Sequence, residues 1–162
     1  MQPDPQSLAV LGEFMANPSR RYVLGATPYA AGIIATIPVQ GVIDDFSKAT
    51  DFHGVPIIRT ADAPQDAFVV TTTLGRPHTA RQHLLKAGLA QCDYFTFHRH
   101  SNLALPEARF WTGFGEDARE HAADLQWVRE RLADEASREV FDSLVNLRLS
   151  ANPACIASFC EN

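Results

Sequence analysis

The chain has 162 residues, 46% of them hydrophobic and 20% charged, with a formal net charge of −5. That is the size and composition of a single soluble globular domain, and the negative balance argues against nucleic acid, whose phosphates call for a positive field. No apolar run in the sequence approaches the roughly 20 residues of a membrane span.

Residues Met1–Ser7 lack the basic charge that opens a secretion signal. Cys92, Cys155 and Cys160 form no C-x-x-C pair. A reduced, cytoplasmic protein without a disulfide framework or a structural zinc site is therefore expected.

In chain order, Ser7–Ala16 predicts a short helix with Leu8, Leu11 and Met15 on one face, and Asn17-Pro18-Ser19 breaks it. Arg21–Gly25 is a short apolar run closing on glycine, the pattern of a buried parallel strand. Ala26-Thr27-Pro28 is the turn, and Pro28 suits a first helical position because its missing N–H has no partner to lose there. The helix Tyr29–Ile37 ends at Pro38, and Val39–Ile43 is the second strand, with Asp44 and Asp45 at its carboxyl end. Tyr22–Asp45 thus reads as one βαβ unit.

Gly54–Ile58 reads as an edge strand, since Pro56 cannot donate to a ladder. Thr60–Asp66 is a polar connection and Ala67–Thr72 another buried strand. A turn at Gly75-Arg76 leads into a helix to about Lys86, stopped by Gly88, and Asp93–Phe97 is a fifth strand. Alternating strands and helices give an α/β class: a Rossmann-like three-layer parallel sheet of about five strands with right-handed crossovers.

Beyond Pro106 no strand is evident in the sequence. Glu116–Leu132 and Asp134–Leu149 predict two helices, the second with Val140, Leu144 and Leu147 on one face and Phe141 and Val145 beside them. Asp134 and Glu135 suit a helix start, where acids meet the dipole favourably. Trp111 and Trp127 are expected to pack between helices and sheet, and Ala154–Asn162 shows no regular pattern. The division that follows is an N-terminal helix in 1–20, an α/β domain in 21–105, and a helical extension in 106–162 expected to lead to a downstream domain.

Open parallel sheets bind ligands outside the carboxyl ends of their strands. Those ends carry Gly25, Ala26 and Thr27; Asp44 and Asp45; Thr71, Thr72 and Thr73; and His98-Arg99-His100. Gly25 lets a ligand approach the backbone, and the helix opening at Pro28 and Tyr29 points free N–H groups at an anion. Asp44 or Asp45, about 20 residues on, is placed to accept from ribose hydroxyls. The same residues serve equally well as a tight turn and a solvated loop.

Thr72, Thr73, Gly75 and Arg76, with Arg81, form a second candidate, able to offer hydroxyls, amides and a guanidinium to a charged ligand. Alternatively the threonines are strand formers that cap the next helix. The dinucleotide fingerprint is incomplete, with Thr27 and Ala30 where its second and third glycines belong, so a single phosphate or a nucleotide-sugar fits better than a dinucleotide.

His98 and His100 bring no further ligand set, and His78 and His83 stand five apart, off a shared helix face. No metal site is expected. No G-x-S-x-G elbow, P-loop or H-E-x-x-H occurs, and no catalytic residue is assigned.

Two resemblances add to this reading. Tyr22–Gly32, Gly41–Phe46 and Gly54–Ile57 resemble the N-terminal domain of nucleotide-sugar acyltransferases, which implies a UDP-sugar in a Rossmann-like crevice. Phe110–Phe114, Leu132–Phe141 and Asn146–Leu149 are similar to the segment that precedes the catalytic domain in FkbM-type methyltransferases, whose members place a Rossmann-like domain ahead of it.

This second resemblance spans most of the chain. It implies an accessory module that recognises a nucleotide or nucleotide-sugar and is not catalytic alone. The parent protein would be a methyltransferase dependent on S-adenosylmethionine, with that cofactor in a downstream domain and none within these 162 residues. Two alternatives stay open. One is a structural module with an empty crevice, whose C-terminal helices meet a partner domain or form a homodimer. The other is a stand-alone NAD(P)-binding enzyme.

Overall fold

Short apolar runs buried on both faces are the material of a parallel sheet, and six strands form here. They are β1 (Arg21–Leu24), β2 (Gly41–Ile43), β3 (Asp51–Phe52), β4 (Val55–Ile58), β5 (Phe68–Thr71) and β6 (Ala90–Asp93). The computed structural model describes residues 4–108, 113–150 and 152–159. The sheet order is β3-β4-β2-β1-β5-β6. Every pairing is parallel except β3 with β4, so the fold is α/β and Rossmann-like, with β1 at the centre. The order reverses between β2 and β5 on either side of β1, which makes the carboxyl end of β1 the switch point where such sheets hold ligands.

Alternation along each strand sends side chains to two cores. Val23, Val42, Val70 and Cys92 point to one face and pack with Val10 and Phe14 of α1 (Pro5–Ala16) and with Ala30 and Ile33 of α2 (Pro28–Thr36). Leu24, Ile43 and Val69 point to the other and pack with Ala80 and Leu84 of α3 (Pro77–Lys86). Phe97 of α4 (Tyr94–His100) joins the first core, edge-on to Phe14 at 5.2 Å. Arg21 is buried, and its guanidinium donates to the carbonyls of Phe14 (2.8 Å) and Met15 (2.6 Å), closing the C-terminal end of α1. This unit runs from Asp4 to Pro106.

The second unit begins at Glu107 and is helical where described: α5 (Phe114–Glu120), α6 (Ala122–Arg131) and α7 (Glu135–Ser150), then a 3-10 segment Pro153–Phe159. Arg129 bridges α6 to Asp142 of α7 at 2.9 Å. Asp134 accepts from the Ser137 N–H at 2.7 Å, the helix start expected for that residue.

Several expectations need correction. The sheet has six strands, because Asp51–Phe52 pairs back on β4 through a turn with His53 and Gly54 at positive φ. Asp93–Phe97 is not a strand. The Asp93 carboxylate accepts from the Thr96 N–H (2.9 Å) and hydroxyl (2.8 Å), an N-cap that turns the chain into α4, so His98 and His100 stand on a helix. On α1 the buried residues are Ser7, Val10 and Phe14, while Leu11 and Met15 pack half-buried against the same core.

The segment 116–132 is two helices broken at His121. On α7, Leu147 is buried while Val140 and Leu144 are exposed. Trp127 is 56% exposed, with the Arg131 guanidinium stacked 3.8 Å over its ring, so it is not the buried packing group expected. Ala154–Phe159 is regular after all, within the 3-10 segment. Phe110, Trp111 and Cys160 lie outside the described residues.

Candidate functional site

A cleft of about 280 Å³ opens at the carboxyl ends of β2, β1 and β5, on the α3 face of the sheet. Its floor is Leu24, Gly25 and Ile43; one wall is Asp44, Asp45 and Phe46; the other is Thr73 with Arg76, Thr79, Ala80 and His83 of the α3 segment. Phe46 is 95% exposed at the lip, an apolar ring held in water by the Asp44 turn.

Gly25 has φ +95, and a Cβ there would stand 2.7 Å from Thr73 Cγ2, so only glycine fits where β1 meets the cleft. Asp44 Oδ1 accepts from the Phe46 and Ser47 N–H groups at 2.9 Å each, and its Oδ2 from the Ala26 N–H at 3.2 Å. Arg59 donates to the Asp44 and Ser47 carbonyls and pins the same loop.

Asp45 is held as firmly. Its Oδ1 accepts from the Thr60 N–H (2.8 Å), and its Oδ2 from the Thr60 hydroxyl (2.7 Å) and from His83 Nε2 (2.9 Å). Burial pushes the Asp45 carboxyl up, but the two Thr60 bonds and the charge of His83 outweigh it and hold it below the usual carboxylate range. The Thr60 hydroxyl gives its proton to Asp45, so both neighbours of His83 Nε2 can only accept, and Nε2 carries a proton.

Of the residues singled out in the sequence, Gly25, Asp44, Asp45, Thr73 and Arg76 meet in this cleft. Ala26, Thr27, Pro28, Tyr29, Thr72 and Gly75 do not line it. Thr27 caps α2, accepting from the Ala30 N–H at 3.2 Å, and its hydroxyl donates to Thr72 Oγ1 at 2.9 Å. Thr72 is fully buried and donates in turn to the Leu24 carbonyl at 2.7 Å, stapling β1 to β5. Tyr29 lies against Tyr94, ring centroids 4.9 Å apart. Arg81 pairs with Asp4 at 2.7 Å.

Thr71–Thr73 supply no cap to α3, whose N-cap is Arg76 with no side-chain bond to the helix. Thr73 Oγ1 is buried with no partner among the described residues.

Sequence reasoning passed over Thr60, Thr79 and Phe46 and weighed His83 only as a metal ligand. The signal available was Arg76, Thr79 and His83 at i, i+3 and i+7 of one helix. Cys92 offers no nucleophile, because burial, then the nearby carboxylates of Asp93 and Asp4, push its thiol well up. Among the described residues no group of three or more His, Cys, Asp or Glu side chains could hold a metal ion, and no helix is long and apolar enough to cross a membrane.

No family model and no curated protein matches the chain. Among solved structures, the fold is similar to the crystal structure of methyltransferase FkbM from Methylobacillus flagellatus KT. The TM-score is 0.50 at 20% identity, covering 94% of this chain and 49% of that one. The chain therefore spans less than half the length of that protein. The likeness is one of fold, and it bears on the methyltransferase resemblance rather than on the acyltransferase one.

Proposed function

We propose that the chain is a small-molecule-binding, Rossmann-like domain of an FkbM-type methyltransferase, serving substrate recognition and not catalysing alone. Its ligand is a nucleotide or nucleotide-sugar, and S-adenosylmethionine belongs to a further domain. The observation that carries this is the cleft at the switch point of the sheet, with Gly25 open to close approach and the paired carboxylates of Asp44 and Asp45 on its wall. The fold likeness to a methyltransferase roughly twice as long supports a partner domain.

Titration of the chain with UDP-sugars, nucleoside monophosphates, S-adenosylmethionine and NAD, read by calorimetry and thermal shift, tests it. Saturable binding of a nucleotide or UDP-sugar is expected, with no S-adenosylmethionine response. Silence from every nucleotide at millimolar concentration overturns the reading.

A second reading draws on Trp127, Val128, Val140 and Leu144, all exposed on the helical unit. There the helices seat a partner domain or a second copy, and light scattering across a concentration series separates the two.

A further inference from the structure

We infer that the α3 wall of the cleft is an anion subsite, taking a phosphate monoester on the Arg76 guanidinium with Thr79 and His83 beside it. This rests on the nucleotide reading above and deepens it by choosing, of the two anion sites the sequence offered, the α3 side over the turn into α2.

The turn into α2 has little left to offer an anion. The N–H groups of Gly25, Ala26, Thr27 and Ala30 are bonded to the Ile43 carbonyl, Asp44 Oδ2, the Gly25 carbonyl and Thr27 Oγ1. Pro28 has none. An anion arriving there would also face the Asp44 carboxylate that holds the Ala26 N–H.

The opposite wall differs in its side chains. In the same unit, Arg20 is spent on Asp66, Arg21 on the end of α1, Arg59 on the Asp44 loop and Arg81 on Asp4. Arg76 lines the cleft, and its guanidinium has no hydrogen-bond or ion-pair partner among the described residues. Guanidinium presents parallel N–H groups that match two phosphate oxygens at once. One and two turns further along the same helix face stand the Thr79 hydroxyl and the His83 ring.

His83 is fixed through Nε2 by Asp45 and Thr60, while Nδ1 has no partner among the described residues. Asp44 and Asp45 are each engaged by three internal donors, so their charge is compensated within their own loops. A cleft of about 280 Å³ suits one phosphorylated ring system and is small for a dinucleotide.

The test is calorimetry of the full chain with uridine, uridine monophosphate, adenosine and adenosine monophosphate. For whichever base binds, the monophosphate should bind at least about tenfold tighter than its nucleoside, the scale of one bidentate charge-assisted contact. R76Q should cut that preference to less than about twofold. K86Q, a charge loss on the same helix outside the cleft, should leave it intact. Equal binding of nucleoside and monophosphate, or a preference that survives R76Q, overturns the subsite while the nucleotide reading stands. No binding of any of the four overturns the subsite, and with UDP-sugars also silent the nucleotide reading falls too.

Discussion

The β1–α2 and β5–α3 turns are built from similar materials. Each leaves a central strand, passes a glycine and enters a helix through a proline in its first turn. In the first, the residue before the proline is Thr27, whose hydroxyl accepts from the Ala30 N–H and reaches across to Thr72. In the second it is Arg76, which has donors only and makes no cap bond. One turn is closed on itself and belongs to the scaffold. The other leaves its helix without a side-chain cap and puts a guanidinium on the wall of a cleft. The capping residue, not the Gly and Pro punctuation, decides which turn is free to meet a ligand.

The largest expected effect tests how closed the first turn is. Gly25→Ala places a Cβ 2.7 Å from Thr73 Cγ2 on a backbone at φ +95. A loss of about 2–4 kcal/mol in urea denaturation is expected. A loss below about 1 kcal/mol would mean that the turn yields easily and the contrast is overstated.

Thr72→Val keeps the shape and removes the hydroxyl, leaving the Leu24 carbonyl and the Thr27 hydroxyl short of a partner. The expected cost is about 1–3 kcal/mol by the same measurement. An unchanged midpoint would remove Thr72 from the scaffold and return it to the ligand side.

At the open turn the sign should reverse. Arg76→Ser supplies the missing N-cap, so the variant should gain about 0.5–1 kcal/mol while losing the preference for phosphorylated ligands. Stability gained together with binding lost is the signature of a turn left uncapped for function. If Arg76→Ser destabilises, Arg76 is a structural residue and the comparison fails.

The sequence made the scaffold legible where one residue's chemistry acts locally. The apolar runs of β1 and β5, the glycine at the end of β1 and the acids after β2 all stand where their patterns place them. It misled where a short polar side chain redirected the chain. Asp93 ends an apparent strand by capping α4, and positive φ at His53 and Gly54 closes the small β3–β4 hairpin. The site was half legible for a related reason. Asp45 could be read from its place at a strand end, but His83 acquires its role only when folding brings Thr60, 23 residues away, and Asp45 against its ring. No helical period or motif encodes that meeting.

The smallest expected effect concerns this network and is best seen through pH. The folded Asp45 carboxyl titrates below its unfolded value, so its ionised form adds stability at all pH values above the unfolded range, near 4. That increment is lost as pH falls through the folded pKa, because folded and unfolded states then bind the same proton. Asp45→Asn should therefore be less stable than the parent at pH about 7, by no more than about 1 kcal/mol for so exposed a pair.

The gap should narrow steadily as pH falls below about 4. Urea midpoints at several pH values for both proteins check it. A gap that stays constant through the acid range would show that Asp45 draws nothing from its charge. The α3 wall would then be held to the β2 loop by Thr60 alone, and His83 would be free to leave the cleft wall that Arg76 shares with it.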